Sequence, residues 1–165
     1  MASTSSNKQP LLIDHVLHEV INLDSAISST FDISGTNTAV MIVNAVTTDG
    51  AILEDIYSIA RSTTAASINL YLSSATDYLR PSEGILIGQF ASATTIGDVT
   101  KFTEMPNILA PVAQVGSTAQ LKALYIPKGK SLWAARQSSS VLTDGPLLGV
   151  QGGWYQYAKK TEWIW

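Results

Sequence analysis

Alternation of apolar and polar residues predicts β-strands along most of the chain. The clearest segment is Ser67–Ser73, in which Ile68, Leu70 and Leu72 alternate with more polar residues. Because successive side chains of a strand point to opposite faces, this pattern predicts a strand that buries one face against a core. Seven further segments have the composition of strands: residues 11–21, 39–46, 52–60, 84–90, 120–126, 131–136 and 147–153.

Residues 11–21 fit two kinds of secondary structure. Their apolar residues recur at spacings of three and four, as on one side of an amphipathic helix. The rest of the chain is consistently β, and sheet context outweighs local propensity. We therefore predict an extended strand here.

The sequence Pro-Lys-Gly-Lys at 127–130 separates two apolar runs, 121–126 and 132–135. Proline followed by glycine favours a tight turn, so these runs are predicted to form an antiparallel hairpin. A second break, at 143–146, returns the chain towards residues 147–151. Those residues are predicted to add a third strand, which would make the unit a β-meander.

Eight antiparallel strands in 165 residues predict an all-β, single-domain antiparallel β-sandwich. A two-sheet jelly roll is the favoured architecture, and an immunoglobulin-like sandwich is the nearest alternative. The long connection at 91–120 fits a Greek-key crossing in either fold. The step Asp49-Gly50, which follows a β-branched run, predicts a further hairpin between 39–46 and 52–60.

The two ends of the chain differ in character from the middle. Residues 1–10 are rich in Ser, Asn and Gln and offer little to bury, so we predict a flexible N-terminal arm. Residues 11–155 form the predicted sandwich domain, and residues 156–165 form a Trp-rich C-terminal tail.

Large aromatic residues concentrate towards the C-terminus, and such rings commonly anchor interfaces. Trp133 lies inside a predicted strand and is expected in the core. The end of the tail carries enough apolar surface to be adhesive unless it docks, either on its own domain or on a neighbour. The predicted interface residues are Pro10 and Leu11 at the root of the arm, with Trp163, Ile164 and Trp165 in the tail.

The composition narrows the classes of function. Charged residues make up 14% of the chain, against roughly 25% in typical soluble domains. With a net charge of -3 the chain lacks the basic footprint of a nucleic-acid-binding protein, so no nucleic-acid partner is expected. The chain has no cysteine, which excludes disulfides and thiolate metal sites. Neither a signal peptide nor a run of 18 apolar residues is found, so neither secretion nor membrane insertion is expected.

Few residues offer catalytic chemistry. His15, His18 and Glu19 would suit a metal ion on a helix, but on a strand the two histidines face opposite ways. Glu54 and Asp55 are adjacent, and neighbours on a strand point to opposite faces, so they are not expected to flank one glycosidic bond. No serine lies in a Gly-x-Ser-x-Gly elbow. We therefore expect no catalytic, metal-binding or cofactor-binding residues, and no enzyme activity.

Two segments near the C-terminus resemble a known group of proteins. They are Leu-Tyr-Ile-Pro-Lys-Gly-Lys-Ser-Leu-Trp-Ala-Ala at 124–135 and Val-Gln-Gly-Gly-Trp-Tyr at 150–155. They resemble the C-terminal pattern of small tailed-phage virion proteins, in which a Pro-x-Gly-x-x-Leu hairpin precedes a closing Gly-Gly-x-Tyr. The order of residues 52–61, 62–66 and 68–72 is similar to the same group's strand, small-residue turn and Leu-Tyr-Leu strand.

The resemblance implies a jelly-roll capsid cement or decoration protein. Proteins of this class commonly form homotrimers and clamp adjacent subunits of the major capsid protein on the exterior of the virion, after synthesis in the host cytoplasm. The tail at 156–165 departs from the pattern, which often stops at Gly-Gly-Trp-Tyr.

Two other classes of function remain open at the level of sequence. A carbohydrate-binding module, or the receptor-binding tip of a phage tail, would stack exposed Tyr and Trp rings on sugars. A small hydrolase on a β-scaffold would have to use His15 or His18 as its general base.

Overall fold

The structure is a computed structural model that describes residues 15–24, 39–45, 48–77, 79, 83–102, 112–113, 120–121, 123–137 and 144–155. These residues contain eleven β-strands and no helix, so no described helix is long and apolar enough to cross a membrane. The strands are β1 (His15–Asn22), β2 (Val40–Asn44), β3 (Gly50–Ile59), β4 (Ser67–Ser73), β5 (Ile85–Ala91), β6 (Val99–Lys101), β7 (Val112–Ala113), β8 (Gln120–Leu121), β9 (Leu124–Pro127), β10 (Ser131–Gln137) and β11 (Leu147–Trp154).

Nine of these strands form two antiparallel sheets. Sheet A has the order β1-β11-β3, and the far side of β3 pairs with β9 near its start and with β6 near its end. Sheet B has the order β2-β10-β4-β5, while β7 and β8 pair only with each other. The prediction of an all-β antiparallel sandwich is confirmed, with nine strands in the two sheets in place of about eight.

Both sheets contribute to one main hydrophobic core, because alternate side chains of each strand point inwards. Burial of a Leu or Ile side chain contributes about 1.5–3 kcal/mol, so these inward rows are a principal source of stability. The fully buried residues of sheet A include Leu53, Ile56, Leu148 and Val150, and those of sheet B include Val43, Ile68, Leu70 and Leu132.

Strand β4 has the predicted bounds, but it is buried on both faces. Ile68 and Leu70 enter the main core, as their alternation predicts. On the opposite face Tyr71 is also buried, in a second cluster on the outward side of sheet B. The other buried members of this cluster are Ala39, Leu79, Trp133 and Ala135, which confirms that Trp133 is a core residue.

The predicted hairpin at 127–130 and the predicted meander are both wrong. The turn itself is present, since the Lys130 amide donates to the Pro127 carbonyl at 3.1 Å and Gly129 has a φ of 80°. However, β9 pairs with β3 in sheet A, whereas β10 pairs with β2 and β4 in sheet B. The turn is therefore a corner between sheets, and β11 then returns to sheet A.

The predicted hairpin at Asp49-Gly50 is wrong for the same reason. Strand β2 belongs to sheet B and β3 to sheet A, so the chain changes sheets at this turn. A φ of 118° at Gly50 is accessible to glycine and strained for other residues. Turn residues indicate where the chain changes direction, but the partner of each strand is decided by burial across the whole sandwich.

The other strand predictions were correct to different degrees. The extended conformation predicted for residues 11–21 is confirmed over the described part, β1. The single strand predicted at 120–126 is divided into β8 and β9, and β6 was not predicted.

Asp24, which follows β1, links four parts of the chain at one end of the sandwich. Its carboxylate accepts hydrogen bonds from the Gly145 amide at 2.6 Å and from Arg61 Nη1 at 3.2 and 3.3 Å. Its backbone carbonyl accepts one from Nη2 of the buried Arg136 at 3.3 Å. Burial lowers the pKa of the Arg136 guanidinium, and the charge of Asp24 opposes this shift. These contacts join β1 to the ends of β3 and β10 and to the start of β11.

Candidate functional site

The five predicted interface residues all lie outside the described residues, as do the predicted arm and tail. They are Pro10, Leu11, Trp163, Ile164 and Trp165. The interface assigned to them stays a prediction. The described residues instead present a different surface.

We call the outward side of sheet A the open face. Along each strand of sheet A, every second side chain faces the core. The side chains between them, both polar and apolar, lie on this outward side. The residues of the open face include Val16, His18 and Val20 on β1, Glu54, Asp55 and Tyr57 on β3, Val99 and Lys101 on β6, and Tyr125 on β9.

His18 and Tyr57 form a hydrogen-bonded pair in the middle of the open face. His18 Nε2 lies 3.1 Å from the Tyr57 hydroxyl oxygen, although the two residues come from β1 and β3 with β11 between them. The gap is spanned because the Tyr57 ring lies over Gly149, where a Cβ atom would be 2.2 Å from ring carbon Cζ. A glycine at this position thus gives the tyrosine room to cross the intervening strand.

The strand conformation of β1 separates the histidines that could have shared a metal ion. His15 and His18 are three positions apart, so they point to opposite faces of sheet A. Among the described residues, no group of three or more His, Cys, Asp or Glu side chains is arranged to hold a metal ion. The hydrogen bond between His18 and Tyr57 was not predicted, because it depends on the long-range register of β1, β11 and β3.

Glu54 and Asp55 lie on the same side of sheet A, which corrects the prediction that they face opposite ways. Leu53 and Ile56, on either side of this pair, are both fully buried. The register confirms an irregularity, since Leu53 and Asp55 oppose the consecutive residues Gly152 and Gln151. Such a bulge resets the alternation of side chains. Asp55 is engaged by Lys101 Nζ at 2.5 Å, which leaves Glu54 exposed beside it.

Two tyrosines form an aromatic pair at the end of the open face where β9 pairs with the start of β3. The rings of Tyr125 and Tyr155 have centroids 6.1 Å apart and planes inclined at 51°, a favourable tilted arrangement. Tyr125 is 41% exposed, whereas Tyr155 is buried. Burial raises the pKa of the Tyr155 hydroxyl, and nearby Tyr125 and Glu54 add to the shift.

The apolar residues of the open face are unusually accessible on β1, where Val16 is 84% and Val20 is 47% exposed. The sequence carried a signal for this surface. Val16-Leu17 and Val20-Ile21 place apolar residues on both faces of one strand, whereas a strand with one solvated face has polar residues on that face. Leu17 and Ile21 pack on the core, which leaves the valines outside.

Comparisons of this chain with models of protein families, with curated proteins and with solved structures find no match.

Proposed function

We propose that the chain is a non-enzymatic virion structural protein, namely a capsid cement or decoration protein that bridges subunits of the major capsid protein on the exterior of a phage capsid. The proposal begins from the resemblance of residues 124–135 and 150–155 to such proteins. The structural observation that supports it most is the order of the strands.

The strand order supports a jelly roll as the specific architecture of the sandwich. With β6 and β9 taken together as one edge strand, the two sheets contain eight strands in chain order. The first then pairs with the eighth (β1 with β11), the second with the seventh (β2 with β10), the third with the sixth (β3 with β6 and β9), and the fourth with the fifth (β4 with β5). Such nested pairs arise when one long antiparallel ribbon is rolled into two sheets, which is the arrangement proposed here.

The open face supports a role in binding a large partner. It combines accessible apolar side chains with a few polar groups, as interfaces between proteins do. Val99 and Tyr125 contribute apolar surface near one edge of sheet A, where Lys101, on the same strand as Val99, forms an ion pair with Asp55 of β3. The low content of charge fits a surface that a partner covers. On this proposal the open face contacts the capsid, with the arm and the tail as additional contacts.

Binding to capsids tests the proposal directly. Capsids of the encoding phage that lack this protein are mixed with purified chain and sedimented, and occupancy is measured. We expect saturable binding that Val99→Lys weakens and that Ile85→Lys leaves unchanged. Ile85 is a matched control because it is similarly exposed but lies on β5 in sheet B. Absence of binding by the parent protein would contradict the proposed function, and equal binding by both variants would remove the open face from it.

A homotrimer is part of the proposal, since proteins of the resembled class commonly assemble in this way. Light scattering at low protein concentration would give about 53 kDa, three times the 17.6 kDa of one chain. Deletion of residues 156–165 would then show whether the predicted contacts of Trp163, Ile164 and Trp165 act on the trimer or on the capsid.

One observation favours carbohydrate binding as a second candidate function. Tyr125 presents an accessible ring at the end of the open face that also holds the outward carboxylates Glu54 and Asp55. Aromatic rings that stack on sugars, with carboxylates that accept hydroxyl hydrogen bonds, are suited to bind glycans. A glycan array probed with the parent and with Tyr125→Ala tests this candidate. Signals that disappear in the variant would favour it, and a blank array from folded protein would exclude it for the glycans present.

A further inference from the structure

Strand β1 is an edge of sheet A, and it lacks most of the features that normally protect an edge from pairing. Natural edge strands are kept apart by short length, bulges, prolines or charged side chains, lysines above all. Strand β1 has eight residues in unbroken register with β11, it contains neither Pro nor Lys, and Glu19 is its single acidic residue. Among the described strands, none pairs with its other side.

The other sheet edges of the described chain are each interrupted. Strand β2 has five residues and a shift in its register with β10, and β5 has a shift in its register with β4. The far edge of sheet A is shared by the short strands β6 and β9 and carries Lys101. Strand β1 is therefore the edge best suited to pair with another chain.

We propose that two copies of this chain pair through β1, antiparallel and edge to edge, so that their two A sheets form one continuous sheet across a two-fold axis. A second copy is the favoured occupant because the strand complements itself in one particular register. This inference does not depend on the proposed capsid function.

Two requirements determine the register: side chains must match in face, and the exposed valines must be covered. Opposite residues of antiparallel strands have side chains on the same face, and a two-fold axis perpendicular to the sheet keeps each residue on its own face. The axis must therefore pass between one residue and its own copy. Centred on His18, the pairing sets Val16 against Val20 of the other copy, and Val20 against Val16. These two exposed valines then cover each other on the open face.

The neighbouring register is less favourable on grounds of charge. Centred on Glu19, it would place Glu19 directly opposite its own copy, and like charges at this position are destabilising. It would also set Val16 against Asn22, which leaves the valine without an apolar partner. The register centred on His18 instead sets Glu19 against Leu17, which carries no charge.

Cysteine cross-linking tests this register, because the chain has no cysteine of its own. Opposite residues of antiparallel strands have Cα atoms about 4.5–5.5 Å apart, which is within the range that a disulfide spans. We expect His18→Cys to form a covalent dimer under mild oxidation. Val16→Cys mixed with Val20→Cys is expected to give a mixed dimer, whereas neither variant alone is expected to do so.

The matched control is Ile85→Cys, an exposed apolar position on the edge strand β5 of sheet B. Cross-linking of Ile85→Cys to the same extent as His18→Cys would show random collision and overturn the proposal. Cross-linking through Glu19→Cys in place of His18→Cys would overturn the register. Each variant is first checked for a parent-like thermal transition, and Val16 and Val20 are exposed enough to be replaced without loss of the core.

Mass measurements give an independent test without cysteines. We expect the parent at high concentration to reach about 35 kDa, twice the 17.6 kDa of one chain, or about 106 kDa if two trimers join. Val16→Lys, which adds a charge to the edge, is expected to return the mass to one chain or one trimer. Ile85→Lys is expected to keep the parent's mass. A parent that stays at one chain or one trimer at every concentration overturns the proposal.

Discussion

The outward sides of the two sheets differ in how completely they are covered. We call the outward side of sheet B the covered face, and it contains Tyr71, Trp133 and Ala135, all buried, with Leu79 packed on them. The open face of sheet A instead carries the accessible valines of β1. The contrast is clearest for two tyrosines, since Tyr71 is 5% exposed and Tyr125 is 41% exposed. Strands β4 and β10 of sheet B therefore have their large apolar residues in use for folding, whereas Ile85 and Leu86 on the edge strand β5 stay exposed. On sheet A the exposed apolar residues lie on the face itself, where they are available for a partner.

The polar contacts of the two faces follow the same division. On the covered face the Trp133 indole donates to Ser131 Oγ at 2.7 Å, and that hydroxyl donates to the Ala75 carbonyl at 2.6 Å. On the open face the pair of His18 and Tyr57 and the pair of Asp55 and Lys101 each include an exposed side chain, His18 and Lys101 respectively. Buried hydrogen bonds are costly to break, whereas exposed ones contribute little to stability.

The largest expected effect comes from the same substitution made on each face. Tyr71→Ala removes a buried ring and leaves a cavity, so we expect a loss of about 3 kcal/mol in the free energy of unfolding. Tyr125→Ala removes a ring that is partly solvated, and the expected loss is less than half as large. Urea denaturation followed by Trp fluorescence measures both. Equal losses would mean that the open face is as much a part of the core as the covered face.

The second largest expected effect on stability compares two buried serine hydroxyls, one with hydrogen-bond partners and one without any among the described residues. Ser131→Ala leaves the buried Trp133 indole N–H without its acceptor, which costs about 1–3 kcal/mol. Ser58→Ala is the matched control, because Ser58 is equally buried and its hydroxyl has no hydrogen-bond partner within the described structure. We expect Ser58→Ala to be neutral or stabilising by about 1 kcal/mol in the same denaturation measurement. A greater loss from Ser58→Ala than from Ser131→Ala would contradict the assigned contacts.

The sequence predicted one residue of the covered face, since Trp133 was expected in the core, but it placed Tyr71 on the solvated side of β4. It predicted none of the contacts of the open face. The bounds of β4 and the burial of Trp133 follow from local alternation and from the strand around them. The closeness of His18 to Tyr57 needs the register of three strands, two of which lie far apart in the chain. The shared orientation of Glu54 and Asp55 needs a bulge that no residue type marks.

Strand pairing was the weakest part of the prediction from sequence. The turn residues at 127–130 and at Asp49-Gly50 indicated where the chain turns, and the structure has changes of sheet at both places. A tight turn usually joins neighbouring strands of one sheet, so local chemistry predicted hairpins. In this sandwich the two strands bury their apolar sides from opposite sheets, and that gain depends on residues that are distant in sequence.

A smaller effect is confined to alkaline pH and concerns Tyr155. Its raised pKa means that the folded state keeps the phenolic proton where the unfolded chain releases it. Stability from this group is therefore complete below about pH 10, the unfolded value, and is lost as the pH rises through the folded pKa. We expect Tyr155→Phe to lose less stability than the parent over that interval. Urea denaturation from pH 8 upwards measures the difference, and parallel declines in both proteins would show that Tyr155 does not titrate in this way.

The smallest expected effect comes from the hydrogen bond at the centre of the open face. Tyr57→Phe keeps the ring over Gly149 and removes only the hydroxyl that meets His18 Nε2, so we expect a loss of about 0.5 kcal/mol and no more than about 1 kcal/mol. A double-mutant cycle with His18→Ala isolates the coupling between the two side chains, and denaturation of the four proteins supplies it. Coupling energies above about 2 kcal/mol are typical of buried polar pairs. A value of this size would show that this part of sheet A is covered in solution. Such a cover has two explanations: association of two copies, because the two-fold axis proposed for β1 lies at His18, or cover by other residues of the same chain. Comparison of the cycle at low and high protein concentration then distinguishes the two explanations, since only coupling that arises from association increases with concentration.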